Sequence, residues 1–167
     1  MQLANLRNAN LYGTKLEYTV LWQADLEGAF LGDVNLEKQS LRGVNLKNTI
    51  MLGANLQGAE LDGVFLQGAY LTGANLKGAT VVVVPGFPKA VFMQEAKLIG
   101  TNLGRVNLSA VDLRKAIYSD IDTHPSVCET YQLQSPCPTI FPKGFNPKAA
   151  GMIKVHLEDI SNLKDRI

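Results

Sequence analysis

From Leu6 to Val81 a leucine, or once a methionine and once a valine, recurs at every fifth position, sixteen times without a slip. Leu6, Leu26, Leu46, Leu56, Leu66 and Leu76 belong to this series, and after an interruption Leu103 and Leu108 continue it. Two places before each of these residues stands a small one, such as Ala4, Ala24, Val44, Ala54 or Ala74, and only Gln39 breaks the set. A period of five suits neither regular element. Side chains five apart spiral around an α-helix instead of sharing a face. In a continuous strand an odd period would send successive leucines to opposite sides. The chain must therefore turn once per pentad, with the leucine and its small partner both facing inward. Repetition of that unit predicts an all-β solenoid with a leucine core.

The remaining pentad positions agree with a turn. Glycine often occupies the second position after the leucine, as in Gly28, Gly53, Gly58 and Gly78, where it accepts a corner at no steric cost. Asparagine or aspartate often stands directly before the leucine, as in Asn5, Asp25, Asn45 and Asn75, and is expected to point outward and hydrogen-bond locally.

The stretches ANLQGAELDG and AYLTGANLKGAT resemble the pentapeptide-repeat proteins, whose motif reads A(D/N)LXX, and the resemblance spans roughly residues 4 to 118. It implies a right-handed quadrilateral β-helix with four pentads per coil. The number four comes from the resemblance and not from the period.

After Val81 the register is interrupted by VVVPGFPKA and resumes at Met93, twelve residues on, with Leu98, Leu103, Leu108, Leu113 and Tyr118. Proline cannot donate to a ladder and favours turns, so residues 82–90 are expected to form a loop at one corner. The alternative, a boundary between two domains, is disfavoured by the shared motif on both sides. The expected organisation is a repeat column over residues 1–118 and a cap over 119–167. In the cap, THPSVCETYQLQ reads as a short helix. FNPKAAGMIKVHLEDISNLKDRI reads as a longer one with Asn146 as N-cap and Pro147 in the first turn. Met152, Ile153, Leu157, Ile160, Leu163 and Ile167 would give it an apolar stripe over the last coil. The whole expectation is thus a quadrilateral β-helix with a short α-helical C-terminal cap.

Charge narrows the function. Residues 1–118 carry eleven Lys/Arg against nine Asp/Glu, and the rest of the chain five against six. Some pentapeptide-repeat proteins resemble duplex DNA in shape and acidity and bind DNA gyrase. Mimicry of that kind needs a negative column, which this chain lacks. It is also too weakly basic to grip phosphates over a broad surface, so no nucleic-acid partner is expected. No run has the length of a transmembrane helix.

Cys128 and Cys137 are the two cysteines. A disulfide between them would pin the cap, and would point to an oxidising compartment; two unrelated free thiols are the alternative. The resemblance, whose exported members occur in the periplasm and thylakoid lumen, supports an exported mature chain after removal of a leader, with a cytoplasmic location as the alternative.

Nothing in the pattern points to catalysis, a metal or a cofactor. A leucine-filled column has no shielded polar pocket. His124 and His156 with the cysteines match no zinc spacing. The recurring glycines lack the Lys-Ser/Thr that follows a phosphate loop. Surface remains. With four pentads per coil, Tyr12, Phe30, Ile50, Leu52 and Tyr70 stack outside the core on one face, a candidate binding stripe that would extend to Ile99 and Ile117. Stacking that merely steadies neighbouring coils is the competing reading. Another face stacks Lys15, Asn35, Asn55 and Asn75 as a polar ladder, while Trp22 stands alone on the fourth. The function expected is therefore a rigid, non-enzymatic scaffold for an unidentified protein partner, with gyrase interaction the alternative.

Overall fold

A computed structural model of the chain describes residues 3–81, 91–120 and 137–155. Its backbone is organised by parallel pairing at a step of 20 residues: Asn5 with Asp25, Asn10 with Phe30, Lys15 with Asn35, and upward from each through Asn45, Ile50 and Asn55. A step of four pentads divides each coil into four faces, so the number four is observed here. Each rung is a pair of bonds around the residue before the leucine. Leu26 N–H donates to the Asn45 carbonyl at 2.8 Å, and Asn45 N–H donates to the Ala24 carbonyl at 3.0 Å.

The corner follows the leucine. Ala29 N–H donates back to the Leu26 carbonyl at 2.9 Å, closing a turn that holds Gly28 at φ +70°. Other corners take the same left-handed backbone without glycine, among them Tyr18, Gln23, Lys38, Arg105 and Lys115, with φ between +52° and +67°. The Asn or Asp before the leucine braces the segment from outside, its side-chain oxygen accepting the N–H two residues on, as in Asn45 to Lys47 at 3.2 Å and Asp25 to Glu27 at 3.1 Å.

Inside, Leu46, Leu56, Leu66, Leu76 and Leu103 are fully buried, Leu26 and Leu108 nearly so, and Leu6 is partly buried against them. Threonine at the small inward position can satisfy its hydroxyl on a carbonyl: Thr49 Oγ1 donates to the Leu46 carbonyl at 2.8 Å in its own pentad, and Thr101 Oγ1 to the Leu71 carbonyl at 2.6 Å one coil below. A hydroxyl can therefore enter the core without an orphaned polar group.

The expected corner loop, 82–90, lies outside the described residues, but the ladder runs on across it. Phe65 pairs with Phe92, Tyr70 with Lys97 and Asn75 with Asn102, each 27 residues apart. The count has shifted by seven, and these three faces keep their identity. The regular strands lie beyond this point. β1 (Val91–Phe92) pairs in parallel with β2 (Val111–Asp112), and a short 3-10 turn at Leu108–Ala110 leads into β2.

The expected second cap helix is corrected over its described part. Asn146 does cap a turn, its Oδ1 accepting Ala149 N–H at 3.1 Å, but Gly151 at φ +74° ends that turn at once. The chain then re-enters the ladder. β3 (Ile117–Tyr118) pairs in parallel with β4 (Ile153–Lys154), and Ile140 pairs with Asn102. Met152 and Val155 are buried while Ile153 is half exposed, so these apolar residues do not form a helical stripe. The first cap helix, and the stripe residues Leu157, Ile160, Leu163 and Ile167, lie outside the described residues.

A buried hydroxyl cluster fixes the returning segment. Ser119 Oγ donates to the Cys137 carbonyl at 2.6 Å, Ser119 N–H to Thr139 Oγ1 at 3.1 Å, and Gly100 N–H to Ser119 Oγ at 3.0 Å.

Candidate interaction surface

One face carries Asn10, Phe30, Ile50, Tyr70, Lys97, Ile117 and Ile153 in unbroken vertical pairing. The predicted stripe residues therefore do lie together. Tyr12 is 64% exposed and Phe30 47%, whereas Ile50, Leu52 and Tyr70 are half-buried. Some of this surface is spent on the column itself. The Lys97 ammonium stands 5.2 Å from the centre of the Tyr70 ring, close enough for a cation–π contact. In the adjoining row Thr72 and Ile99 are buried, so exposed apolar surface concentrates at the lower coils. Tyr12 Oη donates to Asp33 Oδ2 at 2.6 Å, and this bond to a carboxylate raises the phenol's pKa above its ordinary value.

The face before it is polar and charged. Arg7 Nη1 reaches Glu27 Oε2 at 2.6 Å and Asp25 Oδ2 at 3.2 Å. Glu27 is held below the usual carboxylate range chiefly by the Arg7 hydrogen bond. Higher on the same face Asp112, nearly buried, accepts from Arg114 Nη2 at 2.7 Å and from Gln94 Nε2 at 2.7 Å, and the Arg114 bond pulls its pKa down. Phe65 and Phe92, one coil apart here, stack at 5.6 Å with planes 7° from parallel.

On the third face the asparagine ladder forms as expected. Asn55 Nδ2 donates to Asn35 Oδ1 at 3.1 Å, and Asn75 Nδ2 to Asn55 Oδ1 at 3.5 Å. The fourth face holds a feature with no signal in the repeat pattern beyond Gln39. Trp22 is not isolated but lines a depression of about 690 Å³ with Tyr18, Val20 and Gln39. The exception Gln39 was visible in the sequence; the gathering of aromatic residues around it was not.

Cys137 is buried and is not a free thiol, while Cys128, His124 and His156 lie outside the described residues. Among the described residues no cluster of His, Cys, Asp or Glu is suited to hold a metal. Among them, too, no helix is long and apolar enough to cross a membrane.

A parallel ladder stepping by twenty residues, built of pentads with an inward leucine, in nearly every case an inward small residue, and often an Asx brace, defines a repeat solenoid. The family model for pentapeptide repeats matches in eight copies over residues 4–38, 40–78 and 93–117. The chain belongs to the pentapeptide-repeat family. Similar solved structures include a pentapeptide repeat protein from Nostoc Pcc 7120, 27% identical, covering 78% of this chain and 84% of that one, with a TM-score of 0.39. A pentapeptide repeat protein from the Arabidopsis thaliana thylakoid lumen is 24% identical over 66% of this chain and 76% of its own, with a TM-score of 0.36. One from the cyanobacterium Cyanothece 51142 is 21% identical over 91% and 88%, also at 0.36. Family membership rests on the repeat match and not on these superpositions. No curated protein matches the chain by sequence.

Proposed function

We propose that this chain is a non-enzymatic scaffold, a right-handed quadrilateral β-helix that presents the face of Tyr12, Phe30, Ile50, Leu52 and Tyr70 to another protein. The observation that carries the reading is the row's continuity: apolar side chains at successive rungs, with Phe30 still 47% exposed after the column has packed. Contiguous exposed apolar surface on a rigid support is the usual mark of an interaction site. A core filled by leucine, valine and alanine leaves no interior for catalysis. The gyrase reading is disfavoured by the formal net charge of +1, which gives no phosphate-like field.

Two further proposals accompany it. Cys128 and Cys137 form a disulfide that pins the cap, Cys137 being the partner held by the Ser119 cluster. The protein works in an oxidising compartment such as a periplasm or thylakoid lumen, where that bond persists.

The test compares wild type with a variant carrying Phe30→Lys, Ile50→Lys and Tyr70→Lys, shown by circular dichroism to keep its β signal. A partner captured from source-cell extract by wild type is purified and titrated against both. Binding by wild type and loss in the folded variant supports the stripe; equal binding moves the interface elsewhere.

A further inference from the structure

On three faces the first coil is bridged to the second, through Asn5 and Asp25, Asn10 and Phe30, and Lys15 and Asn35. On the fourth face, among the described residues, the ladder begins one coil later, with Ser40 and Glu60; Val20 has no bridge to Ser40. The upper side of that second coil is regular, since Glu60 N–H donates to the Gln39 carbonyl at 2.9 Å and Leu41 N–H to the Glu60 carbonyl at 2.9 Å. Only the lower side is open. The inward small positions on this face read Thr19, Gln39, Ala59 and Ala79, so the opening lies where the one large side chain meets the coil below. Gln39 is itself only partly buried where Ala59 above it is fully buried, so the larger polar side chain coincides with a place that is not packed as the coils above are.

The depression of about 690 Å³ lies at this opening, with Gln39 and Ser40 in its lining. Its lining has a particular chemistry. Tyr18 is 97% exposed, Val20 58% and Trp22 43%, and Glu17 and Glu37 bring two carboxylates to the same site. Lys38 also lines it, paired with Glu37 at 3.2 Å, but its side chain is 78% exposed and such a surface pair is readily exchanged. Aromatic faces beside carboxylates suit a guanidinium, which stacks flat on a ring while donating in its own plane. Unpaired backbone along Val20 and Ser40 suits an extended chain that supplies the missing hydrogen bonds.

We propose that this cleft binds an extended, arginine-bearing segment of a protein partner, with the guanidinium held between Trp22 or Tyr18 and the carboxylates of Glu17 and Glu37. The site is distinct from the apolar stripe and does not rest on it.

Trp22 is the chain's one tryptophan, so its fluorescence reports occupancy directly. The full chain is titrated with an acetylated and amidated Val-Arg-Val peptide and with its citrulline analogue, which keeps the shape and removes the charge. A saturable change with the arginine peptide is expected, at least about tenfold weaker with citrulline, since charge-assisted bonds are lost. The exposed substitutions Glu17→Gln and Glu37→Gln together should remove the difference between the peptides. Gln39→Ala should close the cleft, abolishing the signal while raising Tm. The Phe30→Lys, Ile50→Lys, Tyr70→Lys variant should bind the peptide as wild type does, which separates this site from the stripe. A response that does not saturate, equal affinity for both peptides, or undiminished binding by a folded Gln39→Ala protein overturns the proposal.

Discussion

The ring of Tyr12 occupies the space that Gly32, one coil above it, leaves open: a Cβ at Gly32 would stand 2.8 Å from Tyr12 Cδ2. Gly32 is needed for room and not for a left-handed backbone. Gly32→Ala should push the ring off the face and weaken its bond to Asp33. With that bond gone the phenol should ionise at lower pH than in wild type, since the hydrogen bond to Asp33 is the leading cause of its raised pKa. Ultraviolet titration of the tyrosines in the two proteins checks this; coincident curves would contradict it.

Leu56 is fully buried and Leu6 only partly. Leu56→Ala should therefore cost about 2 to 5 kcal/mol by removing apolar contact and leaving a cavity, and Leu6→Ala distinctly less. Leu56→Lys should unfold the column, because it buries a charge without a partner. Urea denaturation of the three variants gives the ranking, and equal midpoints would sink the inward assignment.

Corners without glycine are a reservoir of strain. Arg105 holds φ +67° on an exposed corner, whereas Gly58 holds +66° with Lys38 Cγ 3.4 Å from where its Cβ would be. Arg105→Gly should stabilise by about 1 kcal/mol through relief of left-handed strain, and Gly58→Ala should destabilise by a comparable amount. Thermal melts of the pair should move in opposite directions.

The Asp112 carboxylate gives acid sensitivity a definite sign. Its pKa is lowered in the fold, first by the Arg114 hydrogen bond. A depressed carboxylate contributes stability that is fully present above the unfolded value, near pH 3.9, and is lost as pH falls through the lower folded value. Asp112→Asn should be less stable than wild type at neutral pH, with the gap narrowing on acidification below about pH 4. Unfolding free energies from pH 7 to pH 2 test this, and a constant gap would contradict it.

Most of the column was legible because each pentad states its fold several times. The leucine marks the interior, the small residue makes room beside it, and the Asx residue before it braces the segment, as Asn45 does for Lys47. The number of faces was not in the period, because nothing local says how sharply each corner bends; pairing of Asn5 with Asp25 shows it. The vertical alignment of Phe30, Ile50 and Tyr70 followed from that count, and it reaches Ile117 because Tyr70 pairs with Lys97 across the interruption, whereas Ile99 in the adjoining row is buried. The cleft was not legible. Gln39 announced an irregularity, but nothing local to it says that Tyr18 and Trp22 line the same depression.

The C-terminal strand shows how a correct local signal can mislead. Asn146 and Pro147 start a turn as they would start a helix, yet Gly151, at φ +74° with Arg114 Cγ 3.6 Å from its open side, redirects the chain into the ladder. There Ile153 N–H donates to the Ala116 carbonyl at 2.9 Å and Val155 N–H to the Tyr118 carbonyl at 2.8 Å. Those bonds offer more than a short helix exposed on one side, because they extend a sheet already formed and bury Met152 and Val155. Gly151→Val places a β-branched residue where the backbone is left-handed and should cost more than the roughly 1 kcal/mol of an ordinary corner substitution. The strain falls at the end of the column, so it should release β4 without unfolding the coils beneath. Hydrogen exchange in the variant should show lost protection at Ile153 and Val155 and unchanged protection at Leu56. Retained protection at Ile153 would mean that the turn at Gly151 does not govern the strand, and loss at Leu56 as well would mean that the last rung and the core unfold as one unit.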